Sequence, residues 1–235
     1  MIKINKMLDT YDKIIIFFSV VVSLILFFYR ENTFDLICIF TSHLFILPSF
    51  VILYKSKSWW LFIFVFFSLV ASILWHLSRE WFYEKDLLKL DIIHQNLLIA
   101  LSISLIVFKN VPRFMIGILY TYTIILSLWC LDTLWGVEIY NICSGIWILI
   151  FIAHIAYAII KKIEVNYTYL TCMLIYTSIA VLLYEEASGE NYNSIHSIWH
   201  VLAYTSLYFS FKMAFKTEKD GEIVKERTDF NKLIF

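Results

Sequence analysis

Residues 59–77 read WWLFIFVFFSLVASILWHL and contain no Asp, Glu, Lys or Arg. A helix over such a stretch rises ~28 Å, close to the ~30 Å hydrocarbon core of a bilayer. The stretch therefore reads as a spanning helix. Two of its polar residues, Ser72 and His76, stand four positions apart, one turn up the same face. An imidazole in such a run is costly in lipid and points to a function.

Working outward, eight apolar runs are long enough to span. They cover roughly 14–29, 36–54, 59–77, 88–108, 114–133, 139–160, 167–184 and 194–214. Short charged connections separate them, among them Lys55 to Ser58, Lys109 to Arg113 and Lys161 to Glu164. Trp59, Trp60, Trp81, Tyr83, Tyr167 and Tyr169 stand at run ends, where interfacial aromatics belong. The fold class expected is all-α, a polytopic transmembrane helix bundle. One transmembrane domain takes residues 1–215, and 216–235 form a mixed-charge cytoplasmic tail.

Composition agrees. The chain is 61% hydrophobic and 16% charged, with five Gly and two Pro among 235 residues. Its mean hydropathy is +0.77. These values exclude a soluble globular domain and a disordered chain. Net charge is zero and no basic stripe is interleaved with aromatics, so nucleic acid is not an expected partner. Cys38, Cys130, Cys143 and Cys172 all lie in apolar runs without a C-x-x-C pair and read as small buried hydrophobes.

Basic residues orient the bundle. With eight spans both termini share a side. That side carries Lys3, Lys6, Lys13, Lys55, Lys57, Lys109, Arg113, Lys161, Lys162 and six basic residues from Lys212 to Lys232. The opposite side carries Arg30, Arg79, Lys85 and Lys89, a split of fifteen against four. Both termini are therefore expected in the cytoplasm. The first run also has the basic start and apolar length of a secretory signal peptide. Tyr29-Arg30-Glu31-Asn32 offers no small-residue cleavage motif, which favours an uncleaved helix.

This topology gathers a candidate site. His76 falls near the outer end of the third run, Asp91 in the first outer turn of the fourth, and His196 and His200 in the first two outer turns of the eighth. His196-Ser-Ile-Trp-His200 places two imidazoles one turn apart, and His76 supplies a third. Three histidine ligands leave one tetrahedral position open for water, the catalytic arrangement for zinc. Zinc brings the pKa of its water towards ~7, and the hydroxide attacks an amide or ester carbonyl. Asp91 suits a general base or an orienting group, and Ser72 a donor to the water or the oxyanion. Two histidines a single turn apart cannot take opposite faces of one haem, which disfavours that cofactor. His43 and His154 read as hydrogen-bonded packing residues; His94, one turn after Asp91, is an intermediate case between packing and a residue that supports Asp91 or lines the pocket.

The set Ser72-x-x-x-His76, Asp91 at the start of the next helix, and His196-x-x-x-His200 in the last helix resembles the CREST superfamily of membrane hydrolases. That superfamily includes alkaline ceramidases, adiponectin-receptor-like proteins, Per1-type GPI-lipid remodelling proteins and the myomaker branch. The local text is most similar to the myomaker branch: Leu47-Pro48 followed by a short basic loop, then Leu90-Asp91, then His196-Ser-Ile-Trp-His200-Val201. The resemblance covers about 36–214 and implies a seven-helix core, with 14–29 as an extra N-terminal helix. It implies Zn2+ held by His76, His196 and His200, with Ser72 and Asp91 completing a catalytic site. The extra helix departs from the family pattern, and the acidic N-terminus of animal ceramidases has no counterpart here.

The expected function is a zinc-dependent hydrolase of an amide or ester bond in a membrane lipid, ceramide-like or GPI/phospholipid-like. The competing reading is a non-enzymatic fusion factor or receptor in which zinc only fastens helices. The presence of both Ser72 and Asp91 favours the enzyme. A transporter finds little support, because no Gly/Pro-broken helix pairs and no second copy of the histidine motif are present.

Overall fold

The computed structural model describes residues 8–28, 35–78, 91, 95, 98–100, 103, 121, 125, 136–160, 166–186 and 192–215. Among them there is no strand. The helices are α1 (Thr10–Phe28), α2 (Asp35–His43), a 3-10 turn (Leu44–Ile46), α3 (Leu47–Lys55), α4 (Trp59–Ser78), α5 (Gly136–Ile160), α6 (Tyr167–Glu186) and α7 (Tyr192–Ala214). The expected all-α class is present. Asp91, Gln95, 98–100, Ile103, Thr121 and Ile125 are also helical. Most of the expected runs at 88–108 and 114–133 lies outside the described residues. So do Trp81, Tyr83, Leu90, His94, Cys130, the Lys109 to Arg113 and Lys161 to Glu164 connections, and the 216–235 tail.

Two helices among the described residues are long and apolar enough to cross a membrane, Thr10–Phe28 and the continuous Ile37–Lys55. Leu61–Leu77, Ile148–Ile160 and Tyr167–Leu183 are apolar but shorter. Phe17, Phe18, Leu24, Ile25 and Phe28 of α1 are all exposed, Phe28 by 77%. A contiguous apolar face of this kind is unfavourable in water and suits a lipid surround.

The chain forms two compact units, one of Met1–Lys55 with Val165–Met213 and the other of Ser56–Glu164 with Ala214–Phe235. In the first, α1 opens with a reciprocal cap. The Asp9 N–H donates to Asp12 Oδ2 at 2.9 Å, and the Asp12 N–H donates to Asp9 Oδ1 at 2.8 Å. Each carboxylate thus serves a backbone donor that the helix start leaves unpaired. Asp12 is 0% exposed. Its Oδ1 accepts from Tyr208 at 2.6 Å and its Oδ2 from Tyr169 at 3.1 Å. Lys212 Nζ stands 2.8 Å from Asp9 and 3.3 Å from Asp12. This polar knot ties the start of α1 to the start of α6 and the end of α7. Further along, Ser19 meets the Tyr176 hydroxyl at 2.7 Å, and Thr177 meets Ser206 at 2.6 Å. Between these pairs Phe209 packs against Tyr169 and Tyr176.

The 3-10 turn has a local cause. Pro48 has no N–H to give the carbonyl four residues back, so Leu44 accepts from the Leu47 N–H instead. One tight turn results, and His43 is the last residue before it. At the end of α3, Lys57 takes a left-handed φ of 55°. At the start of α6, Asn166 Oδ1 caps the Tyr169 N–H at 3.2 Å.

In the second unit, α4 buries Leu61, Val65, Ala71 and Trp75 along one side. Its Ser68 hydroxyl donates back to the Phe64 carbonyl at 3.0 Å.

Asp12→Ala should destabilise the protein by about 3–5 kcal/mol, because it takes the acceptor from two buried tyrosine hydroxyls and one of the two carboxylates from Lys212; thermal unfolding in detergent measures the loss. At Asp9, burial pushes the carboxyl pKa up, but the hydrogen bond from Lys212, the backbone donors of Asp12 and Tyr11 and the Lys212 charge outweigh it, and the pKa lies below the ordinary 3.8. The folded pKa is thus the lower one. The stabilisation from Asp9 is fully present above about pH 4 and disappears as pH falls through the folded value. The difference in melting point between wild type and Asp9→Asn should shrink over that acid range.

Candidate metal centre

α7 begins with the sequence that carries two of the expected ligands. His196 and His200 are both buried, with ring centroids 4.7 Å apart and planes nearly perpendicular. His196 stacks on Trp199 at 5.3 Å. His200 stacks on Tyr204, one turn further along, at 5.5 Å with the planes 19° apart. Beside both rings lies His43, the last residue of α2, its ring centroid 4.2 Å from that of His200 and 5.7 Å from that of Tyr204.

His43 is oriented by its own helix. Its Nδ1 lies 2.7 Å from the Ile39 carbonyl, which also accepts from Ser42 at 2.6 Å. A carbonyl can only accept, so Nδ1 carries the proton and Nε2 is left as the lone-pair nitrogen. This is the arrangement that fixes the tautomer of a metal-binding histidine.

His76, in the last turn of α4, is also buried, one turn beyond Ser72. The Ser72 hydroxyl donates to the carboxylate of Asp91, and Gln95 Nε2 donates to Asp91 Oδ2 at 2.7 Å. Asp91 Oδ1 has no hydrogen-bond partner among the described residues. Two donors thus hold one side of a buried carboxylate.

Three buried histidines, His43, His76 and His200, lie close enough to bind one metal ion, with one ring nitrogen from each within 4.8 Å of the others. Nitrogens sharing a tetrahedral zinc at 2.0–2.1 Å are ~3.3 Å apart. Closing that gap takes about 1.5 Å of side-chain movement. Three neutral imidazoles make a nitrogen-rich set that suits zinc, copper, iron or nickel.

The grouping contains His76 and His200 of the expected ligands and adds His43, expected as a packing residue. His196 borders His200 within the same aromatic cluster. Ser72 and Asp91, expected together, are hydrogen-bonded. Gln95 is not among the expected residues, although it stands four positions after Asp91 and is helical like it. Residue depth held a signal for His43. In the expected topology the second run enters from the outer face, so His43 falls at about the level of the other histidines.

Scanned against protein-family models and against curated proteins, the chain matches none.

His43→Ala, His76→Ala and His200→Ala should each lower the affinity for a divalent metal ion, with zinc as the probe. Each variant should also lose the part of its thermal stability that comes from metal binding. Metal content of the purified variants by mass spectrometry, together with melting points measured with and without zinc, checks both effects. If His43→Ala retains full zinc affinity, His43 is not a ligand.

Proposed function

We propose that this chain is a multi-pass integral-membrane hydrolase that uses zinc to cleave an amide or ester bond of a membrane lipid, ceramide-like or GPI/phospholipid-like. The observation that carries this reading is a buried three-histidine group, one of whose members stands a turn from a serine bonded to a buried carboxylate. A metal purely for fastening helices needs no carboxylate–hydroxyl pair of this kind. The resemblance to the CREST hydrolases supports the same reading through Ser72, His76, Asp91, His196 and His200.

Each residue has a role that follows from its chemistry. His43, His76 and His200 would hold the ion, with His196 adjoining. When bound, zinc supplies Lewis acidity and an acidified water. Asp91 accepts a proton at Oδ1, the carboxylate oxygen that Gln95 does not engage. Ser72 holds that carboxylate in place, its single hydroxyl hydrogen being committed there.

The membrane reading draws on the two long apolar helices and the exposed apolar face of α1. For topology we propose cytoplasmic termini and a metal site towards the outer or lumenal face. The basic-residue split supports this, as does the Lys212–Asp9 ion pair, which sets the end of α7 beside the start of α1.

The second reading is a non-enzymatic, myomaker-like fusion factor or receptor with a structural metal. The deep burial of all three histidines favours it, since a fastening site needs no access for substrate.

The two readings separate by mutation. Asp91→Asn keeps the side-chain size and removes its basicity. It should leave zinc bound while lipid hydrolysis falls by about 10²-fold or more, and Ser72→Ala should fall less. A broad lipid-hydrolysis screen of wild type beside His200→Ala supplies the baseline. If wild type turns over no lipid, and biological activity survives Asp91→Asn but not His200→Ala, the structural-metal reading holds.

Topology has its own test. Asn166-Tyr167-Thr168 is a glycosylation sequon by pattern, and the proposed topology puts it on the cytoplasmic side. Asn166 should stay unmodified in a eukaryotic host; glycan at that position inverts the topology.

A further inference from the structure

The torsion that turns an imidazole about its Cβ–Cγ bond has broad wells, so a rotamer alone does not aim a ring nitrogen. Neighbours must do it. In His43 the Nδ1 hydrogen bond to the Ile39 carbonyl does so. For His200 the corresponding constraint is a ring. Tyr204 lies almost parallel to it, with centroids 5.5 Å apart, and also meets His43 at 5.7 Å with the planes 56° apart. Tyr204 is itself buried, and it stands one turn after His200 on α7. One aromatic side chain therefore contacts two of the three grouped histidines, which are 4.2 Å from each other.

We infer that Tyr204 is a positioning residue for the metal centre, a plate that holds the rings of His43 and His200 at the mutual angle that metal binding needs. The inference rests on the metal reading above and adds to it a residue that touches no metal. The contact with His200 is face to face and that with His43 is tilted, so the inference places the role on the ring of Tyr204. The plate restricts the swing of both rings before the ion arrives, which lowers the ordering cost of binding. It also explains why a lone histidine in α2 can join a site on α7: the tyrosine gives it a wall to rest on.

The test uses cobalt(II) as the probe, because its visible absorption reports ligand number and geometry directly. Full-length protein in detergent is titrated with cobalt(II) and then competed with zinc. Tyr204→Phe keeps the plate and should bind within about 3-fold of wild type with the same spectrum. Tyr204→Leu removes the plate and should lose about 10- to 100-fold in affinity, the usual scale for a group that supports a ligand. Its cobalt band should shift or weaken. The melting point of each metal-free variant serves as the folding control. If Tyr204→Leu does not fold, Tyr204→Met, flexible and of intermediate volume, takes its place with the same expectation. Wild-type affinity and spectrum in the non-aromatic variant overturn the inference, as does a Tyr204→Phe variant impaired as badly as Tyr204→Leu. If wild type itself binds no cobalt or zinc, the metal reading fails, and with it the plate.

Discussion

The carboxylate of Asp12 is the contact on which the first unit depends. Each of its oxygens has two partners: Oδ1 has Tyr208 and Lys212, and Oδ2 has Tyr169 and the Asp9 N–H. A buried carboxylate without such partners costs several kcal/mol. The helices that supply them are therefore held in rotation as well as in position. For α7 this matters beyond the knot. Tyr208 and Lys212 are one turn apart, and counting back four residues at a time gives Tyr204, His200 and His196. Such a stripe winds by ~40° per step, so neighbouring members share a side while the ends do not. The roll of α7 that satisfies Asp12 also decides where His200 faces.

Hydroxyl groups divide along similar lines. Ser19, Ser42, Ser68, Thr205 and Ser210 each donate to a carbonyl three or four residues back in their own helix. That contact satisfies a polar atom in an apolar surround and asks nothing of a neighbour. Ser72 is different in kind, because it bonds to a carboxylate far along the chain. Its partner is a buried carboxylate, a group with acid–base chemistry of its own.

What was legible in the sequence was local. Helices announce themselves by apolar length, and a four-residue spacing is visible in one dimension; hence Ser72 with His76, and His196 with His200. Asp91 was legible because a carboxylate in an apolar run is conspicuous. His43 was not, since it has no ionisable partner a turn away and its companions come from distant sequence. Asp12 was hidden for the same reason. It lies just before the first apolar run and reads as a flanking charge, while Tyr169 and Tyr208 are 157 and 196 residues away. Gln95 fell between these cases, local in spacing but neutral, and a neutral amide draws no notice until its acceptor is seen.

The tight turn at Leu44–Ile46 has a consequence for how the metal centre can be adjusted. A 3-10 residue advances by 120° where an α residue advances by 100°, and rises 2.0 Å instead of 1.5 Å. Three such residues rotate the helix before the turn by about 60° relative to the helix after it, and lengthen the segment by about 1.5 Å. His43 sits on the upstream side of that gearing, and Pro48, which causes it, on the downstream side. The bearing of the His43 ring is thus set by an imino acid that never touches it. Chains differing only near Pro48 would present the same three imidazoles with a different bite, and so a different preference among metal ions.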